Sequence, residues 1–180
     1  MIYLLIVVAA LSRFLPHPPN VACLGALGLF AGCYLQSRRA YLVPAAALLL
    51  SDLLGQLFGS TSVMLYHPMV MAGTYAAVTL SVPIGRWVRS RAGRAALKRV
   101  PLAAVSASTL FFLTSNTFVW LGPWYPNTAD GLMSCFVNAL PFYGYTIIGD
   151  LVYCGLMFGC FEFASRGYDA SLQQRLASQP

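Results

Sequence analysis

The basic residues of this chain are confined to short stretches that separate long apolar segments. Ten of the eleven Lys and Arg residues lie in three places: Arg38-Arg39, the cluster from Arg86 to Arg99, and a tail that holds Arg166 and Arg175. Arg13 is the single exception. Short loops rich in Lys and Arg stay on the cytoplasmic side of a membrane. The pattern therefore predicts an integral membrane protein whose basic loops face the cytoplasm.

The composition agrees with a membrane protein and argues against several soluble classes. Only 9% of the residues are charged and 58% are hydrophobic, whereas soluble domains carry about 25% charged residues. The net charge of +6 does not indicate nucleic-acid binding, because the charges lie at membrane edges. The sequence contains no metalloprotease, hydrolase, phosphate-loop or dinucleotide motif. We therefore expect neither an enzyme nor a bound cofactor.

Six apolar segments predict an all-α fold, a bundle of six transmembrane helices over residues 1–165 with a polar cytoplasmic tail at 166–180. The segments run over Ile2–Leu15, Val21–Leu35, Tyr41–Phe58, Met69–Ile84, Leu102–Leu121 and Pro141–Ala164. The first two are shorter than the roughly 20 residues that span a bilayer. With both termini in the cytoplasm, all three basic stretches face inward. The loops at 13–20, 59–68 and 122–140 then face outward.

Several polar and aromatic residues fall in the outward half of the predicted bundle and need an explanation against lipid. These candidates for a substrate-binding site are Arg13, Asn20, Asp52, Gln56, Asn116, Trp120, Trp124 and Asp150. In one interpretation, Arg13 pairs with Asp52 or Asp150 and stabilises the bundle, while the aromatic residues form an interfacial belt. In the other, these groups line a small-molecule pocket that opens to the outside, because acidic residues in membrane helices often serve function.

Two further patterns leave other functions open. Pairs of small residues four apart, such as Gly28 with Gly32 and Gly155 with Gly159, allow close helix packing, either within the bundle or against another subunit. Met and His side chains can bind copper, and the weak candidates for such a site are His17, Met64, His67 and Met69. The alternatives are therefore an accessory subunit of a membrane complex and a copper-handling protein.

Three groups of residues carry a resemblance to a known family. The first is the run from Arg13 to Asn20 (RFLPHPPN) followed by Gly25 to Phe30 and Gly32; the second is Pro44 with Ser51-Asp52-Leu53; the third includes Ser115-Asn116, Trp120, Tyr125, Gly131-Leu132 and Ala139 to Phe142. With these residues the chain resembles a bacterial six-helix family that is similar to the substrate-binding S components of energy-coupling factor (ECF) vitamin transporters.

The resemblance implies a protein of the bacterial cytoplasmic (inner) membrane that captures a vitamin-like micronutrient at an outward-facing pocket. It also implies a partner, an ECF energising module with two ATPases, besides the small-molecule substrate and membrane lipid. The first helix lacks the Ala-x-x-x-Ala motif that S components sharing a module carry, since Arg13 and Phe14 stand four residues after Ala9 and Ala10.

Overall fold

The structure, a computed structural model, describes residues 2–14, 21–58, 67–89 and 97–177, with side chains for 5–14, 21–58, 67–89 and 97–165. In these residues the chain forms six α-helices of eleven residues or more, one 3-10 turn (Arg38–Tyr41) and no strand. The helices are α1 (Ile2–Ser12), α2 (Leu24–Tyr34), α3 (Leu42–Leu57), α4 (Pro68–Arg89), α5 (Val100–Trp120) and α6 (Ala129–Ala177).

Four of the helical stretches are long and apolar enough to cross a membrane. They are the 3-10 turn with α3, then α4, α5 and the part of α6 up to Ser165. The all-helical fold predicted from the sequence is thereby confirmed, and its long apolar helices are compatible with a membrane bundle. α1 and α2 have eleven residues each, a length of about 16 Å against a hydrocarbon core of about 30 Å. Six crossings of the bilayer stay a prediction.

α2 is the central helix of the bundle. All its residues from Ala26 to Cys33 are buried, which suits a helix that is apolar on every side. It packs closely against α4 because glycines face backbone across the contact: an added Cβ at Gly32 would meet the carbonyl of Val82, and one at Gly85 would meet the carbonyl of Leu29. Small residues allow such close approach of helices in lipid.

The two ends of the bundle are marked by different side chains. At the basic end, Arg86 donates to the Ser37 carbonyl and stacks on the Tyr41 ring. At the opposite end, the His67 and Trp124 rings lie 4.7 Å apart. α2 leads into the basic end, but its first turn is buried inside the bundle at Leu24 and Ala26. Val21, three residues before the helix, packs against Gly149 of α6.

The sixth helix begins twelve residues earlier than the sequence analysis predicted. Residues 129–140, expected in an outer loop, belong to α6, and Pro141 lies within the helix. Thr128 caps the start, because its Oγ1 accepts from the Gly131 N–H at 3.2 Å. Proline is tolerated inside membrane helices, where neighbouring groups satisfy the freed backbone. The expectation that Pro141 begins the helix was therefore wrong.

Candidate functional site

Arg13 forms an ion pair with Asp52 inside the bundle. Its Nη1 atom donates to Asp52 Oδ1 at 2.7 Å and also to the hydroxyl of Ser51. Tyr75 of α4 donates its hydroxyl to Asp52 Oδ2 at 3.3 Å. Asp52 is fully buried, whereas the Arg13 side chain keeps 20% of its exposure. The pair links the end of α1 to α3 and α4, and each charge compensates the other.

Asp150 of α6 caps the N-terminus of α2. Its carboxylate accepts from the Ser108 hydroxyl at 2.7 Å and from the backbone N–H of Ala26 in the first turn of α2. Cys23, at the N-cap position, contributes no side-chain hydrogen bond. A helix N-terminus carries unpaired N–H groups and a partial positive charge, which a carboxylate stabilises. Asp150 thus supplies through tertiary contact the cap that α2 lacks in its own sequence.

Asp150 has no cationic partner among the described residues. It is 3% exposed, and the donors that contact it there, Ser108 and Ala26, are both uncharged. Arg13 is directed to Asp52 instead, so the sequence-based alternative of an Arg13–Asp150 pair is not what the structure contains. A carboxylate buried without a positive partner is energetically expensive in a membrane. The two buried acidic residues, Asp52 and Asp150, therefore have different electrostatic surroundings.

A cavity of about 120 Å³ lies between the helices and reaches both charged groups. Arg13 and Asp150 line it together with the hydroxyl-bearing residues Thr74, Ser81 and Thr146. The rest of its wall is apolar: Ala22, Leu24, Gly25, Leu48, Ala77, Val78, Ala107 and Phe111. A mostly apolar wall with a few converging polar groups is typical of a small-molecule site.

A second cavity of about 160 Å³ adjoins the first. Thr74, Phe111 and Thr146 line both cavities, so the two spaces meet at these side chains. The second one is mainly aromatic, because Phe112, Phe142 and Tyr143 join Phe111 in its wall. The Tyr143 hydroxyl forms a hydrogen bond with Thr109 Oγ1 at 2.8 Å. We call the two the polar chamber and the aromatic chamber.

Four predicted site residues belong to this region. Arg13 and Asp150 line the polar chamber. Asp52 does not line it but forms the ion pair with Arg13. Asn116 lines the aromatic chamber, but its amide donates to the Phe112 carbonyl of its own helix at 2.8 Å. These residues come from four different elements, and only the packing of the bundle brings them together.

The other predicted residues lie elsewhere. Gln56 is exposed near the end of α3. Trp120 donates its indole N–H to the Pro126 carbonyl at 3.1 Å, and Trp124 is 53% exposed; neither lines the two chambers. Asn20 lies outside the described residues. The two tryptophans therefore fit the interfacial-belt interpretation better than the pocket interpretation.

The described part of the chain contains no group of three His, Cys, Asp or Glu side chains that could hold a metal ion. Of the copper candidates, His67 packs its ring against Trp124 and Met69 is 39% exposed. His17 and Met64 lie outside the described residues. Copper binding stays a prediction from the sequence.

Phe111 and Thr146, which line both chambers, and Ser108, which donates to Asp150, were not predicted from the sequence. The spacing of these residues in the sequence could have indicated them. Thr146 and Asp150 stand four residues apart on α6. On α5, Phe111 stands three residues after Ser108, and Ser115 stands four residues after Phe111. Residues at these spacings share one face of a helix. Polar side chains that recur on one face of a membrane helix favour a position away from lipid.

Comparison with known proteins adds a family but no activity. No curated protein and no solved structure matches the chain. A family match runs over residues 1–174 and thus includes every residue that forms the two chambers. The chain belongs to this family, the family of unknown function DUF6580.

Proposed function

We propose that the protein binds a small solute in the chambers between its helices and takes part in its uptake across the membrane. The observation that carries this proposal is the pair of charged side chains, Arg13 and Asp150, in the wall of a cavity within an apolar bundle. Ionisable groups in membrane helices are expensive and generally serve a substrate or ion pathway. A structural role alone requires no cavity beside them.

The short central helix supports the same proposal. α2 begins inside the bundle, and its N-terminus faces the polar chamber, which Leu24 and Gly25 line. Helices that end within the membrane are common in transporters, where their termini provide partial charges for ligands near the midplane. A helix terminus inside the bundle does not add stability, because the first N–H groups of the helix have no water to bond and need partners within the protein.

We infer the orientation from the basic end. Arg38, Arg39, Arg86, Arg89 and Lys98 belong to that end, and the positive-inside rule directs such residues to the cytoplasm. Both termini are then cytoplasmic in a bacterial inner membrane. The chambers receive solute from the opposite, outer end, where Arg13 retains its exposure.

The size of the chambers limits the solute. Pockets for drug-sized ligands have volumes of about 300–1,000 Å³, whereas these chambers have about 120 and 160 Å³. A vitamin-sized ligand of an ECF S component requires the helices to separate before it fits. We still propose that members of this family take up a vitamin-like micronutrient with an ECF energising module. The chambers as the structure shows them favour a smaller compound.

The proposal is tested on protein purified in mild detergent. Mass spectrometry identifies small molecules that copurify with the native protein, and equilibrium binding then measures their affinity. We expect Asp52→Asn and Asp150→Asn each to weaken binding at least tenfold, while the matched control Gln56→Ala on the exposed side of α3 leaves it unchanged. Equal affinity in all four proteins, or no copurifying molecule and no binding of offered solutes, contradicts the proposal.

A second candidate is a subunit of a larger membrane complex. It is favoured by Gly155 and Gly159 on α6, where an added Cβ would meet nothing within 4 Å. These glycines, unlike Gly28 and Gly32, are not used for packing within the described residues. Crosslinking in native membranes from a cysteine at residue 155, compared with one at exposed Leu121, tests this candidate. A specific crosslinked partner from 155 alone supports it, and equal background from both contradicts it.

A further inference from the structure

The charges around the polar chamber do not balance. Arg13 and Asp52 form a neutral pair. Asp150 adds one negative charge when it is ionised, and its contacts among the described residues are to uncharged donors. The N-terminus of α2 offsets about half a unit of charge. With Asp150 ionised, these groups together carry a net negative charge, which a positively charged ligand would neutralise.

An anionic ligand faces the opposite situation. The position that would attract it, the first turn of α2, is already occupied by the Asp150 carboxylate, which accepts from the Ala26 N–H. The other attractive group, Arg13, is held by Asp52 and Ser51. An anion would have to displace one carboxylate or lie beside both. The arrangement of charges selects against it.

The aromatic chamber favours a particular chemical class of cation. Four aromatic rings, those of Phe111, Phe112, Phe142 and Tyr143, contribute to its wall. Ring faces attract cations, and such aromatic walls recognise alkylated ammonium groups rather than strongly hydrated metal ions. Phe111 lines both chambers, so a ligand at this junction contacts aromatic surface while its charge lies on the side of Asp150.

We propose that the solute is a small organic cation with an alkylated ammonium centre, held between the Asp150 carboxylate and the aromatic chamber. This inference depends on the proposed solute-binding function and specifies its substrate class. A cavity of roughly 150 Å³ accommodates benzene, so the polar chamber holds about five or six non-hydrogen atoms. Tetramethylammonium matches that size, and choline extends from one chamber into the other.

The test compares four probes with purified protein at constant ionic strength by isothermal titration calorimetry. Choline and tetramethylammonium are the cations, 3,3-dimethylbutan-1-ol is the uncharged analogue of choline with the same shape, and pivalate is a branched anion. We expect both cations to bind, and the uncharged alcohol to bind at least roughly tenfold more weakly than choline, because it lacks the charge that attracts carboxylate and rings. Pivalate should not bind.

Two variants test whether Asp150 and Phe111 are responsible for the preference for choline. Asp150→Asn keeps one acceptor oxygen and nearly the same side-chain size but removes the charge, and we expect it to abolish the preference for choline over the alcohol. Phe111→Leu keeps an apolar wall but removes a ring, and we expect choline to bind several-fold more weakly while the alcohol is little affected. Thermal unfolding of each variant in detergent identifies loss of structure. If Asp150→Asn does not fold, the result for Phe111→Leu tests the organic-cation inference.

The outcomes separate the two proposals. Binding of the alcohol or of pivalate as tight as that of choline overturns the organic-cation inference and leaves solute binding intact. A choline preference that survives both substitutions also overturns it. Absence of binding by all four probes, in a protein that retains a different copurified molecule, overturns the inference alone. If no molecule copurifies either, the solute-binding function fails as well.

Discussion

The absence of a side chain at Gly25 allows the Asp150 carboxylate to reach the first turn of α2. A Cβ atom at residue 25 would lie 2.5 Å from Asp150 Oδ1 and 2.9 Å from its carboxyl carbon, closer than non-bonded contacts allow. The same carboxylate accepts from the Ala26 N–H. One glycine thus determines whether the buried end of α2 is capped.

Gly25→Ala should destabilise the protein by about 1–3 kcal/mol, because the added methyl group forces the carboxylate away from its donors. The matched control is Gly155→Ala on the exposed face of α6, where a Cβ meets nothing within 4 Å. That change should be neutral or slightly stabilising, since alanine favours helix over glycine. Denaturant titration in detergent micelles measures both. Equal stability of the two variants would contradict the proposed contact.

Ser108→Ala should lower stability by about 1–3 kcal/mol, because the buried Asp150 carboxylate loses one of its donors. Ser106 provides the comparison two residues away: its hydroxyl bonds only to the Leu102 carbonyl of its own helix in the described residues. Ser106→Ala should change stability by less than about 0.5 kcal/mol. The same unfolding titration distinguishes them, and a larger effect at 106 than at 108 would refute the hydrogen bond to Asp150.

Asp52→Leu should cost about 3–5 kcal/mol, because Arg13 keeps its charge in the bundle without a carboxylate partner. Replacing both residues by apolar ones, Arg13→Met with Asp52→Leu, should recover most of this loss, since no unpaired charge then remains. A double-mutant cycle on unfolding free energies gives the coupling. Additive effects of the two single changes would show that the 2.7 Å contact contributes little.

A cysteine at Asn127 should react with a membrane-impermeant maleimide in intact cells, and a cysteine at Gln36 should react only after the cells are opened. Both residues are exposed and lie at opposite ends of the bundle, and the basic end should face the cytoplasm. Cys160 is the exposed native thiol, so the background carries Cys160→Ser. The reverse labelling pattern would invert the proposed orientation.

The location of the site was only partly predictable. Arg13, Asp52 and Asp150 could be identified from the sequence because ionisable residues are conspicuous in apolar segments. Their pairing could not, since Arg13 had two possible partners at similar depth. The start of α6 was missed because Pro141 resembled a helix boundary, while the capping role of Thr128 depended on a local hydrogen bond.

The sequence by itself determined that this is a helical membrane protein with one basic end, because hydropathy and charge act on each residue through its own interaction with lipid and water. Only the tertiary structure decided which carboxylate is neutralised by Arg13 and which one caps α2. The ion pair joins residues 39 positions apart, and Asp150 lies still farther along the chain from Gly25 and Ala26, the residues of α2 that it contacts. The chambers exist only after the helices pack. Local patterns carry no information about such distances.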